Sequence, residues 1–88
     1  MEKGYKLKLN DKWMAIRRFY GEYIFSLYDD DNNENVRDKV SYDVAKRLKL
    51  LTKNTEYYDE IQIVYCGYLT ESETKITIND ILKKRIIR

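Results

Sequence analysis

From Tyr5 to Leu9 apolar and basic side chains alternate, with Tyr5, Leu7 and Leu9 on one side and Lys6 and Lys8 on the other. A period of two predicts a strand with one buried face. Asn10-Asp11 follows, and both side chains tolerate the positive φ that a two-residue hairpin turn demands. Lys12 to Tyr20 then reads as a second strand. Gly21-Glu22 supplies the next turn, with Gly at its first central position, and Tyr23 to Tyr28 reads as a third strand. These turns set a register that the hydrophobic pattern can test. The first places Leu7 opposite Met14 and Tyr5 opposite Ile16. The second places Tyr20 opposite Tyr23, Arg18 opposite Phe25 and Ile16 opposite Leu27. One face then collects Tyr5, Leu7, Leu9, Met14, Ile16, Tyr20, Tyr23, Phe25 and Leu27, interrupted by Lys12 and Arg18 near strand ends. The second face carries Lys6, Lys8, Trp13, Ala15, Arg17, Phe19, Ile24, Ser26 and Tyr28.

Beyond the third strand the period changes. Asp29 to Glu34 is an acidic loop containing Asn. Ser41 is a good N-cap, Asp43 suits the positive end of a helix dipole, and Val40 can staple the entry onto Ala45. Val44, Leu48 and Leu51 recur at helical spacing while Lys46, Arg47, Lys49 and Lys53 face away, and Asn54 is a reasonable stop. Ile61 to Leu69 is apolar on both sides and predicts a fourth, well-buried strand. Lys75 to Ile78 fits a short edge strand. A terminal helix from about Ile78 to Ile86 has Thr77 as its cap with Asp80 three residues on. The expected fold class is α+β, one small domain over residues 1–88. A three-stranded antiparallel meander packs on one helix, followed by one or two further strands and a C-terminal helix, in the order βββαβ(β)α.

Composition narrows the class. Hydrophobic residues are 43% and charged residues 36%, and nine of the 88 residues are Tyr. This balance suits a globular domain and argues against disorder. No apolar run reaches bilayer length, so no membrane partner is expected, and the opening Met1 to Lys6 lacks the apolar stretch of a signal peptide. Cys66 is the sole cysteine, which excludes an intrachain disulfide. A cytoplasmic location follows as the expectation. The lean toward Lys, Ile, Asn and Tyr, without Pro, points to an AT-rich bacterial or phage genome.

Candidate chemistry is mostly excluded. Without histidine the usual general base and commonest metal ligand are missing. Three scattered glycines build no phosphate-cradling loop, and no serine lies in a nucleophile-elbow motif. Cys66 reads as a small hydrophobe on a strand. The run Asp29 to Glu34 begins like a calcium loop but puts Glu34 where Gly belongs and Val40 where the bidentate Glu belongs. Neither catalytic residue, metal site nor cofactor is expected, and the chain reads as a binding protein rather than an enzyme.

What remains is the second face of the meander. Lys6, Lys8 and Arg17 there sit beside Trp13, Phe19 and Tyr28, a pairing of cations for phosphates with rings for stacking. Lys46 and Lys49 on the first helix, and Lys83, Lys84, Arg85 and Arg88 at the end of the chain, extend the basic surface. The element order over Lys6 to Lys53, with Trp13, Gly21 and the Ser41–Ala45 helix start, resembles the arm-type DNA-binding domains of phage and transposon integrases. That resemblance implies a sheet face laid into the major groove. In size and composition the chain also resembles phage accessory proteins, including anti-CRISPR and other anti-defence inhibitors. The expected partner is therefore a nucleic acid or nucleoprotein, with a host protein blocked by a Tyr-rich surface as the alternative. A homodimer closed through a sheet face or edge is the third. Each use of the second face requires that residues 61–88 leave it open.

Overall fold

Four strands and two α-helices are present in the computed structural model, which describes residues 1–86. In chain order they are β1 (Lys3–Leu9), β2 (Lys12–Phe19), β3 (Glu22–Tyr28), α1 (Tyr42–Leu50), β4 (Ile61–Tyr68) and α2 (Ile78–Lys83). The strands form one antiparallel sheet in the order β3-β2-β1-β4, so the α+β meander with a helix and a C-terminal helix is the observed architecture. Both helices lie on the core face, α1 over β1 and β4 and α2 over β2. They bury Leu7, Leu9, Met14 and Ile16 against Val44, Ala45, Leu48, Ile81 and Leu82. Lys12 and Arg18 stay exposed at the strand ends, where a charge reaches water without crossing the core.

The first hairpin turns at Asn10-Asp11 as expected and pairs Leu7 with Met14. The second turns one residue earlier than expected. Its central residues are Tyr20 (φ 50) and Gly21 (φ 78), and Arg18 therefore meets Tyr23 while Ile16 meets Phe25. Positive φ at both central positions is the type I′ signature, whose twist matches the flanking strands. Moving the turn by one residue shifts the pairing by two, and a shift of two leaves every side chain on its original face. The core side chains of β1 and β2 were thus legible although the register of the second hairpin was not, while Tyr20, Tyr23 and Leu27, expected on the same face, are exposed.

Tyr5 departs further from expectation. Its backbone on the β2 side bonds to Val40, N–H to carbonyl in both directions at 2.8 and 3.0 Å, and not to Ile16. Residues 29–39 run from the end of β3 across the second face, where the Asp31 carbonyl accepts from Lys6 Nζ and the Asn35 carbonyl accepts from Arg17. Val40 then enters the gap between β1 and β2 and hands the chain to α1. The second face is therefore covered in part by this loop. α2 packs on the core face, but the residues after it, Lys84 to Ile86, come alongside the outer end of the second face near Arg17, Phe19 and Ile24.

Ser41 caps α1 through its side chain, and Thr77 and Asp80 form a reciprocal capping box at α2. α1 ends at Leu50, before Asn54, and the buried Thr52 hydroxyl donates to the Lys49 carbonyl at 2.7 Å. α2 likewise ends at Lys83, short of Ile86. β4 is an edge strand, not a central one, with Tyr65 and Tyr68 about half exposed. No strand forms at Lys75 to Ile78. A 3-10 turn at Glu73–Lys75 replaces its start, keeping the Glu73 carboxylate within reach of the Thr70 N–H while Ile76 and Ile78 pack against the core.

Candidate nucleic-acid interface

The second face keeps only part of its expected basic and aromatic set accessible. Arg17 is buried at 5% exposure, with its guanidinium donating to the Ile16 carbonyl at 3.0 Å and the Asn35 carbonyl at 2.8 Å. Burial lowers its pKa, opposed by the nearby Tyr28 and Asp38. The Lys6 side chain is 10% exposed and lies 3.9 Å from the Asp31 carboxylate. Both residues hold the 29–39 loop and offer little surface to a partner. Lys8 is half-buried and rests over the Trp13 ring at 4.8 Å, with the Lys6 ammonium 5.7 Å from the same centroid. Tyr28 is half-buried opposite Trp13. Lys46 and Lys49 sit on the other layer, over the Tyr42 and Tyr58 rings, and do not join Trp13 or Phe19.

Phe19 belongs to a different part of the molecule. The β1–β2 pairing stops at Leu7 and Met14, whereas β2 and β3 stay paired out to Phe19 and Glu22. The outer half of this hairpin is therefore a two-stranded ribbon, flanked by no further strand among the described residues. At its end Phe19 is 60% and Tyr20 91% exposed, and their rings meet edge-on at 4.4 Å. Beside the ribbon the chain leaves α2 and closes an open groove of about 520 Å³ lined by Arg18, Phe19, Ile24, Lys83, Arg85 and Ile86, together with Arg17 and Lys84. Among the described residues no carboxylate lines it. Lys84 is tied to Asp38, and Arg18, Lys83 and Arg85 form no ion pair among the described residues. Arg88, grouped by sequence with this basic end, lies outside the described residues.

Tyr20 occupies a backbone region that an L-residue with a bulky side chain avoids, at a cost of roughly 1–2 kcal/mol. Asn or Gly fills this turn position at lower cost. The hydrophobic pattern hides this because it places Tyr20 on a strand. The one local signal is the dipeptide Tyr-Gly itself, in which the glycine also suits the second turn position.

A second exposed aromatic group is equally hidden in the sequence. Tyr5, Tyr42, Tyr65 and Tyr68 form a chain of edge-on contacts with centroids 5.1, 5.9 and 6.5 Å apart across β1, α1 and β4. Lys3 lies over Tyr65. Their spacing along the chain conceals the cluster, since it is assembled by the pairing of β4 with β1.

Cys66 is half-buried, its Sγ 3.4 Å from the Val64 carbonyl, and burial pushes the thiol up, away from the thiolate form that nucleophilic chemistry needs. The acidic loop folds on itself through Asx turns, Asn32 N–H to Asp30 and Asn35 N–H to Asn33, both at 2.9 Å. Among the described residues no three acidic or cysteine side chains converge as a metal site, and no helix is long and apolar enough to cross a membrane. No family model, curated protein or solved structure matches the chain.

Proposed function

We propose that this chain is a non-catalytic binding protein that occupies a nucleic acid or nucleoprotein through the free end of the β2–β3 ribbon, with the basic turn after α2 beside it. The observation that carries the reading is the groove that no carboxylate lines among the described residues and that Arg18, Lys83 and Arg85 share with Phe19 and Ile24. Cations grouped in one groove attract phosphates and release their counterions, while the rings supply contact area that does not depend on salt. A two-stranded ribbon is also narrow enough for a groove or a splayed strand. The proposed setting is the cytoplasm of an AT-rich bacterium or its phage, in keeping with the codon lean of the chain.

The test is fluorescence anisotropy on labelled single- and double-stranded oligonucleotides across a salt series. Binding should weaken steeply with salt, and Arg18→Ala with Lys83→Ala and Arg85→Ala should reduce both affinity and slope, by roughly one unit of slope or less per lost phosphate contact. Unchanged affinity in the triple variant would sink the reading. Arg17→Ala is unsuitable for this purpose because it removes a buried anchor of the 29–39 loop.

A second reading, a protein-binding inhibitor of the anti-defence type, draws support from Tyr5, Tyr42, Tyr65 and Tyr68. Tyr42, Tyr65 and Tyr68 are each about half exposed, and tyrosine is enriched among interface anchors. Recovery of one host protein from nuclease-treated lysate, lost on Tyr65→Ala with Tyr68→Ala, would favour it over the first.

A further inference from the structure

The ring carried on a strained backbone at the ribbon tip narrows the proposed partner, provided that the partner is a nucleic acid as proposed. Tyr20 is 91% exposed and so buries almost nothing in the fold, yet it holds φ 50, where a tyrosine is disfavoured. Folding gains nothing evident from a ring there, and a smaller turn residue would serve the hairpin better. Its neighbour Phe19 is also mostly exposed, and the interplanar angle of 72° turns the two rings in different directions. Arg18 stands next to them in sequence, and Lys83 and Arg85 flank Phe19 across the groove.

We infer that Tyr20 is a stacking residue for unpaired bases, and that the partner is single-stranded nucleic acid. A duplex offers base edges and phosphates, but its base faces are already stacked on one another. An exposed ring finds a π-face only where bases are splayed or single-stranded, and stacking of this kind tolerates any sequence. The cationic groove then carries the adjoining phosphates. Glu22, the acidic residue on the ribbon, pairs opposite Phe19 at the turn and lies outside the groove lining.

The experiment compares the wild type with Tyr20→Phe and Tyr20→Asn, using labelled oligo(dT) and a mixed-sequence duplex of the same length, with thermal melting of each protein alongside. Stacking predicts tighter binding of oligo(dT) than of duplex, retained by Tyr20→Phe. Tyr20→Asn should lose about 10-fold in affinity for oligo(dT) with an unchanged salt slope, because it removes a ring and no charge. The same substitution relieves the backbone, so its melting temperature should rise by a few degrees (about 4–8 °C). Weaker binding by a more stable protein cannot be ascribed to misfolding. If Tyr20→Asn binds oligo(dT) as well as the wild type, or the wild type prefers duplex at every salt concentration, the stacking inference is overturned while nucleic-acid binding stands. If the wild type binds neither oligonucleotide, both fall.

Discussion

Two buried charged side chains anchor segments that lie outside the strands and α-helices. Arg17 holds the 29–39 loop to β2, and Glu73 holds the turn before α2 to Lys39 at the end of the same loop. The Glu73 carboxylate accepts from the Lys39 N–H at 2.6 Å and the Thr70 N–H at 2.9 Å, and lies 3.5 Å from Lys39 Nζ. At 7% exposure, burial alone would raise its pKa, but the bonds from Thr70 and Lys39 and the Lys39 charge together outweigh burial and lower it. A carboxylate whose folded pKa is depressed contributes stability that is fully present above its unfolded pKa. That contribution is lost as pH falls through the folded value. Glu73→Gln should therefore cost about 1–3 kcal/mol at neutral pH, since the amide cannot accept at both oxygens. It should also flatten the acid limb of the stability curve. Urea unfolding of both proteins from neutral to acid pH measures this, and parallel pH profiles would show that Glu73 is not the titrating anchor.

At the scale of elements, the chain shows why some features were legible and others were not. A period of two announced that Leu7, Leu9, Met14 and Ile16 share the core, and a pairing shift of two could not spoil it, but it announced neither the burial of Ala15 and Arg17 on the second face nor the exposure of Tyr23 and Leu27 on β3. The cap residues Ser41 and Thr77 announced their helices because capping chemistry is local. The route of residues 29–40 had no such signal. It is held by the main-chain carbonyls of Asp31 and Asn35 and by the paired backbones of Tyr5 and Val40, which no side-chain pattern encodes. The same blindness made Arg17 look like a surface cation, because one basic residue on a strand face ordinarily means solvent. Gly4 marks where this segment passes β1. A Cβ there would meet Lys39 Cβ at 2.8 Å and Leu69 Cδ2 at 2.9 Å. Gly4→Ala should cost about 1–3 kcal/mol through overpacking of a close crossing. Thermal unfolding tests the size. Faster hydrogen exchange at the Val40 and Leu69 amides tests the place, since Val40 bonds to Tyr5 and Leu69 to Glu2 on either side of Gly4. A wild-type exchange pattern in a destabilised variant would put the strain elsewhere.

Across the whole molecule, the layout of charge is uneven although the net charge is only +2. Lys6, Lys12, Lys39 and Lys84 are engaged with Asp31, Asp29, Glu73 and Asp38. Lys46 and Lys49 cover tyrosine rings on the helical layer near β4, the far edge of the sheet from β3. Arg18, Lys83 and Arg85 are left together at the ribbon end. With overall dimensions of 34 × 26 × 23 Å, a short strand held at that end has no need to reach the α1 lysines. Titration with a short single-stranded oligonucleotide should shift the amide resonances of residues 18–24 and 83–86 and leave those of Lys46 and Lys49 in place. Three phosphate contacts predict a slope of about −2 for log affinity against log salt, using roughly −0.7 per contact for single strands. A much steeper slope, with shifts spreading onto α1, would mean that the binding track wraps the molecule. Shifts centred on Tyr42, Tyr65 and Tyr68 instead would move the contact to the opposite edge and favour the protein-binding reading.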